Sequence, residues 1–321
     1  MATAASHCLL RLYEERHELE DYQGGVPRWC TGCGDNAILA AVQRLCRDEQ
    51  LRPEKTVFVS GIGCSSRFPH YMKTYGFHGI HGRALPVAQG IRMARKDLHV
   101  FVNTGDGDCC SIGAAHWIHA IRYNMNMTVF LHDNQIYGLT KMQASPTSPR
   151  GLRSNTTPRG TFLEAMQPLT VTLGVQNVSF VAQAVDWIPE LLYDIVSAAF
   201  RHRGFSFIRI VQRCPEWLPR LYEPWLHDPE RVRLLHHDDG LSISPALAKV
   251  YRNQESHDPA NLDRAREIAS CVDPIPVGIL YRNPEVPCYE DLRETDHLRT
   301  TKFIQTGLEA ELDKFTVWPK S

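Results

Sequence analysis

The residues best able to do chemistry sit in two short stretches. In "WCTGCGDN" (29–36) two thiols, Cys30 and Cys33, stand three apart in a loop of small and turn-forming residues. Such a pair can form a disulfide, run redox exchange, or supply half the ligands of a zinc or iron–sulfur site. In "NTGDGD" (103–108) the carboxylate of Asp106 lies between Gly105 and Gly107, and the amide of Asn134 follows in "FLHDN". A carboxylate, an amide oxygen and a main-chain carbonyl suit Mg²⁺, which keeps the rest of its octahedron for phosphates and water. The glycines let the backbone approach a ligand, and a following helix offers free N–H groups to phosphate oxygens. The plain alternative is a glycine-rich turn with a structural Asp. A nicotinamide-dinucleotide site fits poorly, because Cys110 stands where G-x-G-x-x-G needs its third glycine.

Asp106 and Asn134 serve one ligand only if neighbouring strands end beside each other. The sequence predicts this. "KTVFVSGIG", "LHVFVNTGDGD", "MTVFLHDN" and "FSFIRIVQRC" read as buried strands. "DNAILAAVQRLCRD", "PVAQGIRMARK", "SIGAAHWIHAIRYNM" and "WIPELLYDIVSAAFRHRG" read as helices, the first with Asp35 as its cap. Alternation of apolar strands with helices predicts an α/β fold, a mostly parallel sheet with helices on both faces. In such a sheet the carboxyl ends of adjacent strands open on one crevice. The predicted organisation is an N-terminal arm (1–28), a ligand-binding domain (29–222) and a C-terminal extension (223–321) packing on the core or a partner. The polar stretch 140–161, "TKMQASPTSPRGLRSNTTPRGT", is long for a structureless loop and reads as functional or disordered.

Composition narrows the class. A hydrophobic fraction of 43% is ample for a core in 321 residues, and a formal net charge of −1 provides no general field for nucleic acid. The opening residues lack a signal-peptide pattern, and no run of about 18 apolar residues predicts a membrane span. Ten cysteines without a secretory signal point to a reducing, cytoplasmic setting.

The pieces "WCTGCG", "SGIGCSSRFPH", "HGRALPVAQGI", "NTGDGD", "SIGAAHWIHAIRYN" and "DNQIYGLTKMQASPTSPRG", in that order, resemble the β subunit of 2-oxoacid:ferredoxin oxidoreductases, and within it the 2-oxoglutarate branch. The GDG followed at a distance by Asn is similar to the thiamine-diphosphate motif. The resemblance covers about residues 28–225 and implies the thiamine-diphosphate-binding fold. It implies Mg²⁺ on Asp106, Asn134 and the Ile136 carbonyl. It places thiamine diphosphate against Ile62, Gly63, Cys64 and Ser65, against Ile80, His81, Gly82 and Arg83, against Gly107 and Asp108, and against Gly138 and Leu139. It implies one [4Fe–4S] cluster on Cys30, Cys33, Cys64 and Cys214, with Thr31-Gly32 replacing the family's usual Pro-Gly. Spacing alone does not separate iron from zinc; the neighbouring cofactor motif favours iron, because a redox centre there is an electron outlet.

The implied reaction is reversible, CoA-dependent oxidative decarboxylation of a 2-oxoacid to acyl-CoA and CO₂, with electrons passed singly through the cluster to ferredoxin. 2-Oxoglutarate is the favoured substrate, with pyruvate or another 2-oxoacid as the alternative. Lys141 and Arg67 match positions facing the distal carboxylate, while His81 and Arg83 face diphosphate or substrate charge. Met142 departs from the family's usual glycine. The Glu that activates the aminopyrimidine has no counterpart here; in the family it comes from the α (or fused γα) partner. Rival readings are a non-oxidative thiamine enzyme, a zinc-stabilised assembly protein without catalysis, and a C-x-x-C thiol oxidoreductase. The remaining cysteines, Cys8, Cys46, Cys109, Cys110, Cys271 and Cys288, read as packing residues or as parts of the arms.

Overall fold

The computed structural model describes residues 16–238, 241–293 and 301–315. Cys8 and most of the N-terminal arm lie outside them. Eleven strands occur among the described residues: β1 (Thr56–Ser60), β2 (Tyr75–His78), β3 (His99–Gly105), β4 (Met127–Asp133), β5 (Ile136–Tyr137), β6 (Gln143–Ala144), β7 (Phe180–Val185), β8 (Phe205–Val211), β9 (Val232–His236), β10 (Gln254–Ser256) and β11 (Ile275–Arg282). Nine of them form one sheet in the order β10-β9-β11-β7-β8-β4-β3-β1-β2, and β5 pairs with β6 in a small hairpin. All neighbours in the large sheet run parallel except β11 against β7.

The central strands are buried along nearly their whole length, and all seven residues of β4 and of β8 are. That burial needs cover on both faces. On one face, helices Asp35–Asp48 and Pro189–Arg201 pack Ile38, Leu45, Leu191 and Ile195 against the sheet. Phe58, Phe101 and Phe130 stack there across β1, β3 and β4, with centroids 4.9 and 6.1 Å apart. On the other face, helices Ala84–Ala94 and Ala114–Tyr123 cover Val59, Val102 and Val129 with Ala88 and Trp117.

Two sequence expectations change here. The four predicted strands are present, but β2, β7 and three strands from residues 232–282 enlarge the sheet to nine. Charged positions in β9, the brevity of β10 and Pro276 and Gly278 in β11 hide the pattern of that C-terminal segment. Asp35 is not a cap: Gly34 holds that position, and the Asp35 carboxylate is wholly buried against His132 Nδ1 at 2.7 Å.

The C-terminal segment is tied to the core by a buried ion pair. Glu290 Oε1 accepts from Arg92 (3.0 and 3.3 Å) and from the Asn126 N–H at 2.9 Å. Removing one partner leaves the other buried charge uncompensated. Glu290→Ala is therefore expected to destabilise the chain by about 3 kcal/mol, read by urea unfolding; a loss below about 1 kcal/mol, the scale of a surface pair, would contradict this.

Candidate functional site

The carboxyl ends of β1, β3, β4 and β8 open on one crevice, and the loops that leave them carry the singled-out residues. One side chain holds these loops together. Asp108 is buried, and its carboxylate accepts the Ile62 N–H at 3.1 Å, the Gly82 N–H at 2.7 Å and the Thr104 hydroxyl at 2.7 Å. His81 Nδ1 lies 2.9 Å from the same carboxylate. The Asp108 side chain is thus turned into the fold, and what it offers a ligand is the arrangement of the backbone around it. A Cβ on Gly61 would come within 2.0 Å of its Oδ2, so the loop requires glycine there.

The other positions of the cradle follow. Gly63 and Gly82 have φ of +131° and +70°, a region that glycine enters at little cost. Gly107 is a glycine because Tyr137 packs on it: a Cβ there would lie 2.1 Å from the ring, and the Tyr137 hydroxyl donates to the Gly107 carbonyl at 3.0 Å. Ile80 and Leu139 are 71% and 49% exposed, apolar side chains that a bound cofactor or partner would cover. Arg83 is half-buried, with Nη1 3.4 Å from the His81 and Ile112 carbonyls.

Asp106 is buried beside Asp133. Its Oδ2 accepts from Ser145 Oγ at 2.5 Å and Thr147 Oγ1 at 2.6 Å. Thr147 Oγ1 is also 2.9 Å from Asp133 Oδ1, while Arg209 Nε donates to Asp133 Oδ2 at 2.7 Å. One hydroxyl has one proton, so Thr147 serves only one carboxylate at a time. Burial and the Asp133 charge push the Asp106 carboxyl up to about 7 despite its hydrogen bonds. Asn134 Oδ1 accepts the Ile136 N–H at 3.1 Å, and both residues are buried next to Asp106's strand end. Ser145, Thr147 and Arg209 carry no motif of their own. The long loop's richness in hydroxyls was the signal for Ser145 and Thr147, which seat the Asp106 carboxylate; Arg209, on β8, gave none.

The four thiols come together through backbone contacts. The Trp29 indole donates to the Cys64 carbonyl at 2.7 Å, and the Gly34 N–H donates to the Arg213 carbonyl at 3.1 Å, beside Cys214. A Cβ on Gly138 would lie 3.6 Å from Cys64 Sγ and 3.9 Å from Cys214 Sγ. No disulfide joins them; Cys30 is exposed, Cys33 and Cys64 are half-buried and Cys214 is buried. Burial pushes the Cys33 thiol far up, Cys64 to about 12, and Cys214 upward. A working C-x-x-C oxidoreductase needs the opposite shift. Among the described residues no three His, Cys, Asp or Glu side chains gather around a point suited to one metal ion. Cys46, Cys109, Cys110 and Cys288 are buried packing residues.

The two cations expected to face substrate, Arg67 and Lys141, lie apart. Arg67 lines a cavity of about 630 Å³ with Arg28, His70, Ile62, Gly63 and Leu139. Lys141 is exposed on the loop between the β5 and β6 strands, outside that lining. Lys141 and Met142 have φ of +72° and +70°. At Met142 this left-handed turn costs about 1 kcal/mol in a side-chain-bearing residue.

Comparison with known proteins now has a geometry to meet. Residues 61–210 match the thiamine pyrophosphate enzyme C-terminal TPP-binding domain, and 248–296 match the C-terminal region of the pyruvate ferredoxin oxidoreductase β subunit. The chain is 38% identical over 263 residues to 2-oxoacid:ferredoxin oxidoreductase 1, subunit beta, of Aeropyrum pernix, covering 82% of this chain and 80% of that protein. The chain belongs to the β subunits of the 2-oxoacid:ferredoxin oxidoreductases. It is also 50% identical over 188 residues to the 2-oxoglutarate oxidoreductase subunit KorB of Mycobacterium tuberculosis; that alignment spans 59% of this chain and 50% of that protein. A solved structure, the 2-oxoglutarate:ferredoxin oxidoreductase from Magnetococcus marinus with 2-oxoglutarate, coenzyme A and succinyl-CoA bound, superposes with a TM-score of 0.74 at 35% identity, covering 86% of this chain and 88% of that one. As a β subunit of this family, the chain is one part of a multi-subunit oxidoreductase. None of its described helices is long and apolar enough to cross a membrane.

Asp108→Ala leaves the Ile62 and Gly82 N–H groups, which share Oδ1, without that acceptor. It is expected to cost about 3 kcal/mol and to weaken thiamine-diphosphate binding with it, measured by thermal unfolding with and without cofactor. Unchanged cofactor binding would show that the three loops do not depend on this carboxylate.

Proposed function

We propose that the chain is the cofactor-bearing subunit of a CoA-dependent 2-oxoacid:ferredoxin oxidoreductase that interconverts 2-oxoglutarate with succinyl-CoA and CO₂. One observation carries the reading. Cys64 stands in the Ile62–Ser65 loop that Asp108 holds in the cradle, and its sulfur faces Cys214 across Gly138. An electron outlet built into the cradle wall suits an oxidative thiamine enzyme; a non-oxidative one has no use for it. The named relatives of the 2-oxoglutarate branch support the substrate.

The residues fit the groups that this function needs. Asp106, Asn134 and the Ile136 carbonyl are hard oxygen donors suited to Mg²⁺. Ile62–Ser65, Ile80–Arg83, Gly107 and Gly138–Leu139 would hold thiamine diphosphate, which when bound supplies the carbanion chemistry for decarboxylating a 2-oxoacid. Cys30, Cys33, Cys64 and Cys214 would hold a [4Fe–4S] cluster. The thiamine-diphosphate cradle beside Cys64 favours a redox cluster over one zinc ion, because electrons leaving the cofactor need an outlet. Arg67, with Arg28 behind it, lines the adjoining cavity and favours a substrate with a second carboxylate. Lys141 would reach the same carboxylate from the facing loop. The aminopyrimidine Glu is assigned to the α (or fused γα) partner, ferredoxin is the electron acceptor, and the thiols imply a reducing, cytoplasmic setting.

Anaerobic co-expression with an α partner tests the whole. The complex is expected to hold four irons and four sulfides per chain, a broad band near about 400 nm, and 2-oxoglutarate- and CoA-dependent ferredoxin reduction. Cys64→Ser should lose iron and turnover together. Stoichiometric zinc, or robust turnover by the single chain, would overturn the assignment.

A second test follows from Asp106. Its carboxyl, held near 7 in the metal-free chain, must lose a proton to bind Mg²⁺. A carboxyl raised on folding contributes stability at low pH that is lost as pH rises through about 7. Mg²⁺ affinity is therefore expected to rise about tenfold per pH unit below that point and to flatten above it. Calorimetry in buffers of different ionisation enthalpy would detect the released proton. Thr147→Val should weaken Mg²⁺ by about tenfold and Thr147→Ser should restore it. A pH-independent affinity would sink the account.

A further inference from the structure

The sheet has a second crevice at its other end. β11 runs antiparallel to β7, and β9 and β10 run parallel to β11. The carboxyl ends of these three strands therefore point away from the thiamine-diphosphate cradle. Their order, β10-β9-β11, places β9 between the strand that follows it and the one after that. The chain leaves β9 to one side and returns on the other, which makes the end of β9 a topological switch point. In open α/β sheets that is where ligands bind.

A cavity of about 360 Å³ occupies this position, lined by residues that follow all three strands: His237 and Asp238 after β9, Ser256, His257 and Asp258 at β10, and Arg282 at β11. The register pairs His236 with Ser256, so two His-Asp dipeptides leave the sheet side by side. His257 is 4% exposed. Its Nε2 donates to the Leu280 carbonyl at 2.6 Å, which fixes the tautomer and leaves Nδ1 as an acceptor. That Nδ1 is buried and has no hydrogen-bond partner. His257 lines the cavity, and a buried polar atom without a partner is costly unless a ligand or water supplies one. Asp258 Oδ1 accepts the Ala260 N–H at 2.9 Å and shapes the turn.

The charges select the ligand. Arg282 is the one cation of the described lining besides the histidines, and Asp238 and Asp258 are its carboxylates. A phosphate dianion would meet two like charges. A single metal ion finds no convergent ligand set among the described residues. We propose that this crevice binds a zwitterionic α-amino acid: the carboxylate on the Arg282 guanidinium, the ammonium donating to His257 Nδ1 and facing Asp238. A guanidinium takes a carboxylate in two parallel hydrogen bonds, and an ammonium has the donors that a lone imidazole acceptor and a carboxylate need. The site is separate from the thiamine-diphosphate cradle and does not depend on the substrate assigned there. A ligand here would bear on the β9–β11 edge, which joins the rest of the sheet through β7.

The test uses the full chain saturated with thiamine diphosphate and Mg²⁺, so that the first site is occupied. The twenty L-amino acids are screened one by one by thermal shift, and binders are titrated by calorimetry. One amino acid, or a chemically related few, is expected to bind with Kd below about 1 mM. Arg282→Met should weaken it at least about tenfold, and so should His257→Phe. The matching 2-oxoacid and the matching amine, each lacking one charged group, should bind at least about tenfold more weakly. If His257→Phe does not fold, half-buried Arg282 carries the test alone. The proposal is overturned if no amino acid binds, if binding survives Arg282→Met, or if inorganic phosphate or the 2-oxoacid binds as tightly as the amino acid.

Discussion

The buried carboxylate of Asp108 is the constraint on which the candidate site depends. A charge this deep requires donors, and the donors it takes are backbone amides from two loops and a hydroxyl from the strand before it. Satisfying one side chain thus fixes where three chain segments lie relative to each other. The loops gain a common anchor mainly through their backbone amides, joined by the His81 ring beside the carboxylate, so the remaining side chains stay available to a ligand. The same logic explains Gly61, which leaves room for the carboxylate, and Gly107, which leaves room for Tyr137.

Around that anchor the polar groups form two systems with different purposes. Ser145 and Thr147 come from a long loop and seat Asp106 from behind, and Arg209 neutralises Asp133 next to it. Two carboxylates side by side in a dry environment repel each other, and burial together with the Asp133 charge raises the Asp106 carboxyl. The thiols form the other system. Burial raises the Cys33, Cys64 and Cys214 thiols, so a cluster would replace protons there and add a cross-link to segments that the chain alone joins by a few hydrogen bonds, such as Trp29 to the Cys64 carbonyl and Gln212 to Cys33 Sγ.

The same sheet carries two orientations. Its larger part, β1 to β4 with β7 and β8, presents carboxyl ends to the cradle. The C-terminal part is reversed by one antiparallel junction at β7–β11 and presents its own carboxyl ends to the far side. An antiparallel join lets a second, smaller parallel unit share the hydrophobic cover of the first while keeping an independent crevice. The buried Arg92–Glu290 pair then ties the segment following that unit back to helix Ala84–Ala94, beneath the first site.

The parts of this protein that rest on local pattern were legible before any fold was known. Continuous apolar runs marked β1, β3, β4 and β8, because a strand buried on both faces has no polar side to show. GDG with a downstream Asn, and the cysteine spacing, singled out Asp106, Asn134, Cys30 and Cys33 as candidates, because such residue types recur where ligands are needed. Whatever depends on partners far along the chain emerged only on folding. β10 has only three residues, β9 mixes charged and apolar positions, and the eight-residue β11 is interrupted by Pro276 and Gly278, so none shows the unbroken apolar run of the central strands. Asp35 has the composition of a helix cap, but the buried His132, 97 positions away, claims its carboxylate instead. Asp108 reads as a ligand contact in the motif and proves to be an internal anchor, since only the folded chain brings Ile62 and Gly82 to it. Ser145 and Thr147 were two hydroxyls among many in a polar loop until the fold set them against Asp106. Local pattern reports which groups are available; long-range packing decides which partner each group can reach, because burial forces every polar atom to find one.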